Sequence, residues 1–338
     1  MTKRIGFCCK YVKQTGNGIE NIPETAIKTT TVAWLNRQTR TQAEGKLWEI
    51  LIHNLNATRN LVVEVSRFKP RLRMVRLGSD ILPFYTEPTW KYFWQQTAVN
   101  TAVAGNLASI GDLARKLDVR LSFHPGQFCC IASANDDVVA RSLEEFEYHT
   151  DMARYMGYGS TWHDHGFKIN IHVSGRRGVE GVKAVLPRLS TEARNLISLE
   201  NDEITCGLDS LLELEHHSAL VLDIHHHFIK TGEYIDSTDD KVKRVRNSWQ
   251  GVRPTMHYSV SRETVLPSHA PDQLLDLNLL LSQGHTRQKL RAHSDWMWNS
   301  AVNDWALEFW ETFDIQVESK YKNLASLALY NYSVEKGY

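Results

Sequence analysis

The chain has no surplus of charge: 39 lysines and arginines stand against 39 aspartates and glutamates in 338 residues. That balance argues against a non-specific coat for nucleic acid, although a local basic face stays compatible with it. Long apolar runs are missing too. None approaches the ~20 residues that cross a bilayer, so no helical membrane span is expected. Cysteine is scarce: Cys8, Cys9, Cys129, Cys130 and Cys206 are odd in number, include two adjacent pairs and form no Cys-x-x-Cys. A disulfide framework or a zinc ribbon is thereby disfavoured, and a reducing compartment is expected. Met1-Thr2-Lys3-Arg4 leads into a short apolar strand, not a signal-peptide core, which suggests an intracellular location, cytoplasmic or, in a eukaryote, nuclear. No repeat, low-complexity tract or linker divides the chain, so one domain over residues 1–338 is expected.

What the chain does contain is a hydrophobic fraction of 42%, enough for a full core, with ten tryptophans and fifteen histidines. That is about twice the histidine of average usage. Several apolar runs end in a residue able to bind metal. Arg120-Leu-Ser-Phe ends in His124, Lys168-Ile-Asn-Ile in His172, and Leu196-Ile-Ser-Leu in Glu200. Val221-Leu222 ends in Asp223, Pro254-Thr-Met in His257, and Asp314-Ile-Gln-Val in Glu318. In a barrel of parallel strands, chemistry gathers at the C-terminal strand ends. One such ending means little; six in one chain point to a shared site.

The remaining pattern supplies the helices between those strands. Strands are predicted at Arg4–Cys8 and Arg73–Leu77, and residues 14–40 read as a long loop. Helical periodicity runs over Gln42–Val65, Trp90–Leu117, Asn135–Tyr155, Val179–Leu189, Leu208–His217, Asp239–Trp249, Trp298–Phe313 and Lys322–Tyr332. Asn135 with Asp136 and Asp137 reads as a helix start. Residues 259–292 break the rhythm and read as an insertion after strand seven, with a short helix near Leu274–Leu281. Strand and helix alternate eight times, the signature of an α/β fold, a single (β/α)8 TIM barrel with a metal site at the C-terminal strand ends.

The ligand candidates are His124, His172, Glu200, Asp223, His226, His257, His293 and Glu318. Carboxylate oxygens and imidazole nitrogens without thiolate suit Mn²⁺, Mg²⁺, Zn²⁺ or Fe²⁺. Eight ligands exceed the needs of one ion; two or three ions sharing carboxylates would use them all. Clustered divalent ions serve phosphodiester hydrolysis. Blander readings stand beside these. Asp223 could cap the next element, Glu200 to Glu203 could be a solvated loop, and His225-His226-His227 could be a solvated patch with only one or two members facing a site. His163 and His165 precede strand four and read as structural or surface residues. His216 and His217 end a helix, and His269 and His285 lie in the insertion.

These residues resemble those of the UV damage endonucleases, relatives of endonuclease IV and of xylose-isomerase-like barrels. The resemblance covers nearly the whole chain. It rests on Leu121-Ser-Phe-His-Pro-Gly-Gln127, Leu199-Glu-Asn-Asp-Glu203, Asp223-Ile-His-His226, Arg291-Ala-His-Ser-Asp295 and Val317-Glu-Ser-Lys320. It implies up to three divalent ions, usually Mn²⁺, on the eight ligands, with Glu200, Glu318 and Asp223 as catalytic carboxylates. The spacing to Glu318 favours His293 over His269. It also implies double-stranded DNA as partner, a monomer, and incision immediately 5′ to a UV photoproduct. A Gln-Tyr wedge of the family falls on Gln127-Phe128, and two lesion-contacting residues fall on Phe7 and Tyr11. The chain departs from the family at Thr255, where the family has a modified lysine. Other readings remain open: an apurinic endonuclease of the endonuclease IV type, a sugar isomerase on the same barrel, or a damage-binding protein impaired in cleavage.

Overall fold

The structure, a computed structural model, describes residues 2–16, 18–126, 128–162 and 164–338; Gln127 and His163 lie outside them. Its strands are β1 (Ile5–Cys8), β2 (Val12–Thr15), β3 (Gly18–Asn21), β4 (Met74–Arg76), β5 (Arg120–Ser122), β6 (Ile169–His172), β7 (Ile197–Glu200), β8 (Ala219–Val221), β9 (Thr255–Tyr258) and β10 (Asp314–Val317). Apart from the β2–β3 hairpin, every pairing between these strands is parallel. One sheet runs β5-β4-β1-β10-β9, and a second runs β6-β7-β8. Single parallel bridges link the two sheets, Phe123 with Ile169 at one edge and Asp223 with His257 at the other. Backbone hydrogen bonds support both bridges: Phe123 N–H donates to Lys168 O at 2.9 Å and His257 N–H to Leu222 O at 3.0 Å. Parallel pairing requires a crossover between successive strands, and helices supply it.

Alternation along each strand sorts the side chains. Phe7, Val75, Leu121, Ile171, Leu199 and Ile315 join one large apolar cluster with helix residues such as Leu47, Leu51 and Val103. The alternate positions are polar yet buried, including Asn170, Ser198, Glu200 and Gln316. Gly6 occupies one such position because a Cβ there would come within 2.7 Å of Met74 O, across the β1–β4 pair.

Local signals hold the helices in place. Thr39 and Gln42 form a reciprocal capping box at the start of Arg40–Ser66. Asn135 caps Asp136–Tyr155, its side chain accepting from Asp137 N–H at 2.8 Å. Two expectations change. Residues 14–40 are not a plain loop, because Val12–Asn21 forms a hairpin whose sequence lacks apolar alternation. Asn323 pins it, accepting from Val12 N–H at 2.8 Å and donating to Val12 O at 3.0 Å. The Trp90–Leu117 stretch, read as one long helix or two, is two: Lys91–Trp94 and Thr97–Lys116. His225-His226-His227 is neither a loop nor a solvated patch: it opens the Ile224–Thr231 helix, and all three histidines are buried. No helix is long and apolar enough to cross a membrane among the described residues.

Candidate metal centre and nucleic-acid interface

Because the strands are parallel, the residues that end them lie at one end of the sheets. Glu200 is at the centre and fully buried. Its Oε1 lies 2.9 Å from His257 Nδ1 and 3.7 Å from His226 Nδ1. Its Oε2 accepts a hydrogen bond from Asn170, which Ser198 Oγ supports at 3.1 Å, and lies 3.5 Å from His124 Nε2 and 4.0 Å from His172 Nε2. Asp223 both caps the Ile224–Thr231 helix and faces the cluster. Its Oδ1 accepts from His226 N–H at 2.7 Å, while Oδ2 is buried without a hydrogen bond and 3.5 Å from His226 Nδ1. Glu318 pairs with Arg76 through Oε1, 3.5 Å from His257 Nδ1, and its Oε2 lies 3.8 Å from His293 Nε2.

Two triads bring one ligand atom from each member within 4.8 Å of the others: His124–His172–Glu200 and Glu200–Asp223–His257. Glu200 is common to both. The donor set of oxygen and imidazole nitrogen, with a buried carboxylate oxygen left bare, fits hard or borderline divalent cations. The structure therefore brings together all eight ligand candidates, with His226 reaching Glu200 and His293 reaching Glu318.

Electrostatics follows from that packing. Burial would raise the Glu200 carboxyl, but His257, His172 and His124 outweigh it and hold it well below the usual carboxylate range. Glu318 is held low against burial by Arg76, His257 and His293. Asp223 goes the other way: burial, with Glu200 and Glu318 nearby, raises it to about 7. His226 is raised to about 9, because Asp223, Glu200 and Glu203 outweigh its burial. Burial lowers His172 to about 4.

One cavity opens over the cluster and a second adjoins it. One of about 500 Å³ is lined by His124, His172, Glu203, Ile204, His226, Arg291, His293 and Glu318. The other, about 1010 Å³, is lined by Cys9, Lys10, Tyr11, Asp80, Phe128 and Arg141. Gly126 and Cys129 border both, so the cavities adjoin at the loop after β5. Phe128 stands 84% exposed on that loop, and its neighbour Gln127 lies outside the described residues. Tyr11 reaches the larger cavity. Phe7 does not: it is 1% exposed in the apolar core, its ring 6.1 Å from Tyr11. Odd positions of β1 face the helices, so Phe7 is withdrawn as a lesion contact.

Three contributors escaped the sequence. Arg76 enters from β4, where strand alternation puts it on the same face as Met74. Glu203 is only partly exposed, pairs with Arg291 and lies 3.7 Å from His226 Nε2, so it is not a solvated loop residue. His225 is buried with its ring 6.4 Å from that of His293. Glu203 was within reach, since it closes the Leu199–Glu203 motif.

Parallel strands ending in a buried carboxylate–histidine cluster beside an open cavity define an α/β protein with a candidate metal centre. The comparisons make this specific. The model of the UV-endonuclease UvdE family matches residues 3–336, and the chain belongs to that family. A UV DNA damage endonuclease of Bacillus velezensis is 29% identical over 267 residues, covering 75% of this chain and 78% of the relative. A UV-damage endonuclease of Neurospora crassa is 31% identical over 205 residues, 56% of this chain but only 30% of that longer protein. In fold, the chain is similar to the crystal structure of SacUVDE, with TM-score 0.73, 22% identity and 99% of both chains covered. It is also similar to endonuclease IV of Thermus thermophilus, with TM-score 0.53, 12% identity and coverage of 83% of this chain and 95% of that one.

Proposed function

We propose that this protein is a divalent-metal-dependent DNA repair endonuclease on a (β/α)8 barrel, which nicks the duplex immediately 5′ to UV photoproducts. The observation that carries the reading is Glu200, buried at the junction of two ligand triads beneath a groove. His124, His172 and Glu200 would hold one ion and Glu200, Asp223 and His257 a second, with His226, His293 and Glu318 completing the set; Mn²⁺ is the proposed metal. Bound ions would supply Lewis-acid activation of water and neutralise charge developing on the phosphodiester.

The chain's own groups prepare that site. Asn170 and Ser198 fix the rotamer of Glu200 from below. Arg76 keeps one Glu318 oxygen engaged and adds a permanent positive charge. Burial raises the Asp223 carboxyl to about 7 and the carboxylates around His226 raise that imidazole to about 9; a cation bound there would displace their protons, so affinity is expected to fall with falling pH. Thr255 has no amine to be modified, so the ligand set consists of the eight residues above. Tyr11 and Phe128 are assigned to the DNA side of the groove; Gln127, outside the described residues, is assigned to lesion contact from the family resemblance alone.

The test is incubation of the full chain with Mn²⁺ and an end-labelled duplex carrying one cyclobutane dimer. The expected product is a single nick 5′ to the lesion, abolished by EDTA and restored by Mn²⁺. No incision of dimer duplex with Mn²⁺, Mg²⁺ or Zn²⁺ would overturn the reading. Incision of abasic duplex alone would assign the site to apurinic repair.

A further inference from the structure

Among the described large apolar side chains that are exposed, Phe128 at 84% and Ile204 at 67% are the most exposed, and only these two line the cavity over the cluster or the one adjoining it. The others, such as Trp48, Ile52 and Val334, lie on helices away from both cavities. A lone exposed isoleucine is ordinary. Ile204 differs in how it is held. The Asp202 carboxylate accepts from Ile204 N–H at 2.6 Å and from both the N–H and the hydroxyl of Thr205. Asp202 N–H closes the loop on Cys206 O at 2.8 Å. From outside, Lys230 Nζ donates to Ile204 O at 3.0 Å, and Thr205 Oγ1 lies 3.1 Å from Val173 O. The loop is therefore tied to the end of β6, to the Ile224–Thr231 helix and to its own buried acid, with an apolar side chain left in solvent at its tip. A side chain presented on a braced loop loses little freedom when it binds.

We propose that Ile204 is a second wedge, entering the base stack of the duplex from the loop after β7 while Phe128 enters from the loop after β5. The inference rests on the functional reading above and adds to it a determinant of lesion size. The two loops follow strands that are two places apart, since β5 bridges to β6 and β6 pairs with β7. Two strand spacings are about 10 Å, and stacked nucleotides rise about 3.4 Å each. The wedges would thus bracket roughly two to three nucleotides, the span of a dinucleotide photoproduct. Inserted apolar side chains unstack and kink duplexes, and damaged steps resist least.

The test uses the full chain with Mn²⁺ and duplexes bearing a phosphorothioate at the scissile position, with 2-aminopurine beside the dimer to report unstacking. Ile204→Ala is expected to weaken binding to dimer duplex about tenfold and to reduce the 2-aminopurine signal. Bound metal per chain is expected to stay unchanged, and binding to a duplex already opened by a two-nucleotide mismatch to stay within about twofold of wild type. Ile204→Leu is expected to restore both signals. Unchanged affinity and unstacking in Ile204→Ala would overturn the wedge, as would an equal loss on the pre-opened duplex or a loss of metal. If the unaltered protein neither binds nor nicks dimer duplex, the functional reading itself fails; if it does both and Ile204→Ala matches it, only the wedge fails.

Discussion

At the N-terminal end of the strands, Asp314 is 1% exposed and surrounded by donors. Arg4 N–H reaches Oδ1 at 2.8 Å, Arg253 Nε reaches Oδ1 at 2.7 Å, and Arg120 Nη1 reaches Oδ2 at 2.6 Å. Arg253 spends its other donors on the carbonyls of Trp310, Glu311 and Phe313, and Arg120 on that of Gly166. At the C-terminal end, Glu200, Asp223 and Glu318 share the imidazoles around them, with Asp223 Oδ2 and His172 Nδ1 buried and without hydrogen bonds. Both ends bury carboxylates between β-strands, but only one balances them internally. A buried charge costs much unless it is paired and hydrogen-bonded. The satisfied cluster reads as scaffold, and the unsatisfied one as a place prepared for cations.

That contrast can be broken from either side. Glu200→Gln removes the carboxylate common to both triads while keeping the bond to Asn170. Nicking of dimer duplex should fall by about 10³-fold or more, roughly 4 kcal/mol in the barrier, and bound metal should drop with it. Metal analysis and single-turnover nicking check both, and an active, metal-replete variant would remove Glu200 from the centre. Asp314→Ala should act on stability instead. It strands two largely buried arginines, and losing one partner of a buried pair costs about 3–5 kcal/mol. Urea unfolding reads the loss, while the folded fraction should keep its metal. Equal damage to metal binding would erase the distinction between the two ends.

Acid should sharpen the comparison. His149, on the Asp136–Tyr155 helix with its ring 5.6 Å from Phe123, is lowered by burial from 6.5 to about 4. The folded protein keeps it neutral, so an unfolded chain binds more protons between those values. Its contribution is whole above about pH 6.5 and is lost as pH falls toward about 4, by roughly 3 kcal/mol if His149 acts alone. Stability of the metal-free protein should therefore decline across that window, and His149→Phe should flatten the decline. A slope unchanged by that substitution would assign the acid sensitivity elsewhere. The smallest expected effect is at the rim. Phe128→Ala should weaken dimer-duplex affinity about tenfold, near ~1.4 kcal/mol, with metal content intact, and Phe128→Tyr should be tolerated. Loss of metal in Phe128→Ala would make the loop part of the metal scaffold.

The strand-end ligands were legible because a parallel strand has a period of two and one chemical end. An apolar run that stops at His124, His172, Glu200 or Glu318 therefore already states where its last side chain lies. Tertiary structure decided what that period does not reach. Each of three consecutive histidines on a helix points about 100° from the last, so His226 faces Glu200, His225 approaches His293, and His227 turns toward Glu233. A loop reading could not separate them. Arg76 and Glu318 are 242 residues apart and meet only because β4 and β10 both pair with β1. Phe7 and Tyr11 are both aromatic and four residues apart, yet one is sealed under helices and the other lines a cavity. The sequence by itself determined which residue types end the strands; closing distant strands onto one another decided which of them meet one another and which meet solvent, because those contacts depend on packing that no local period encodes.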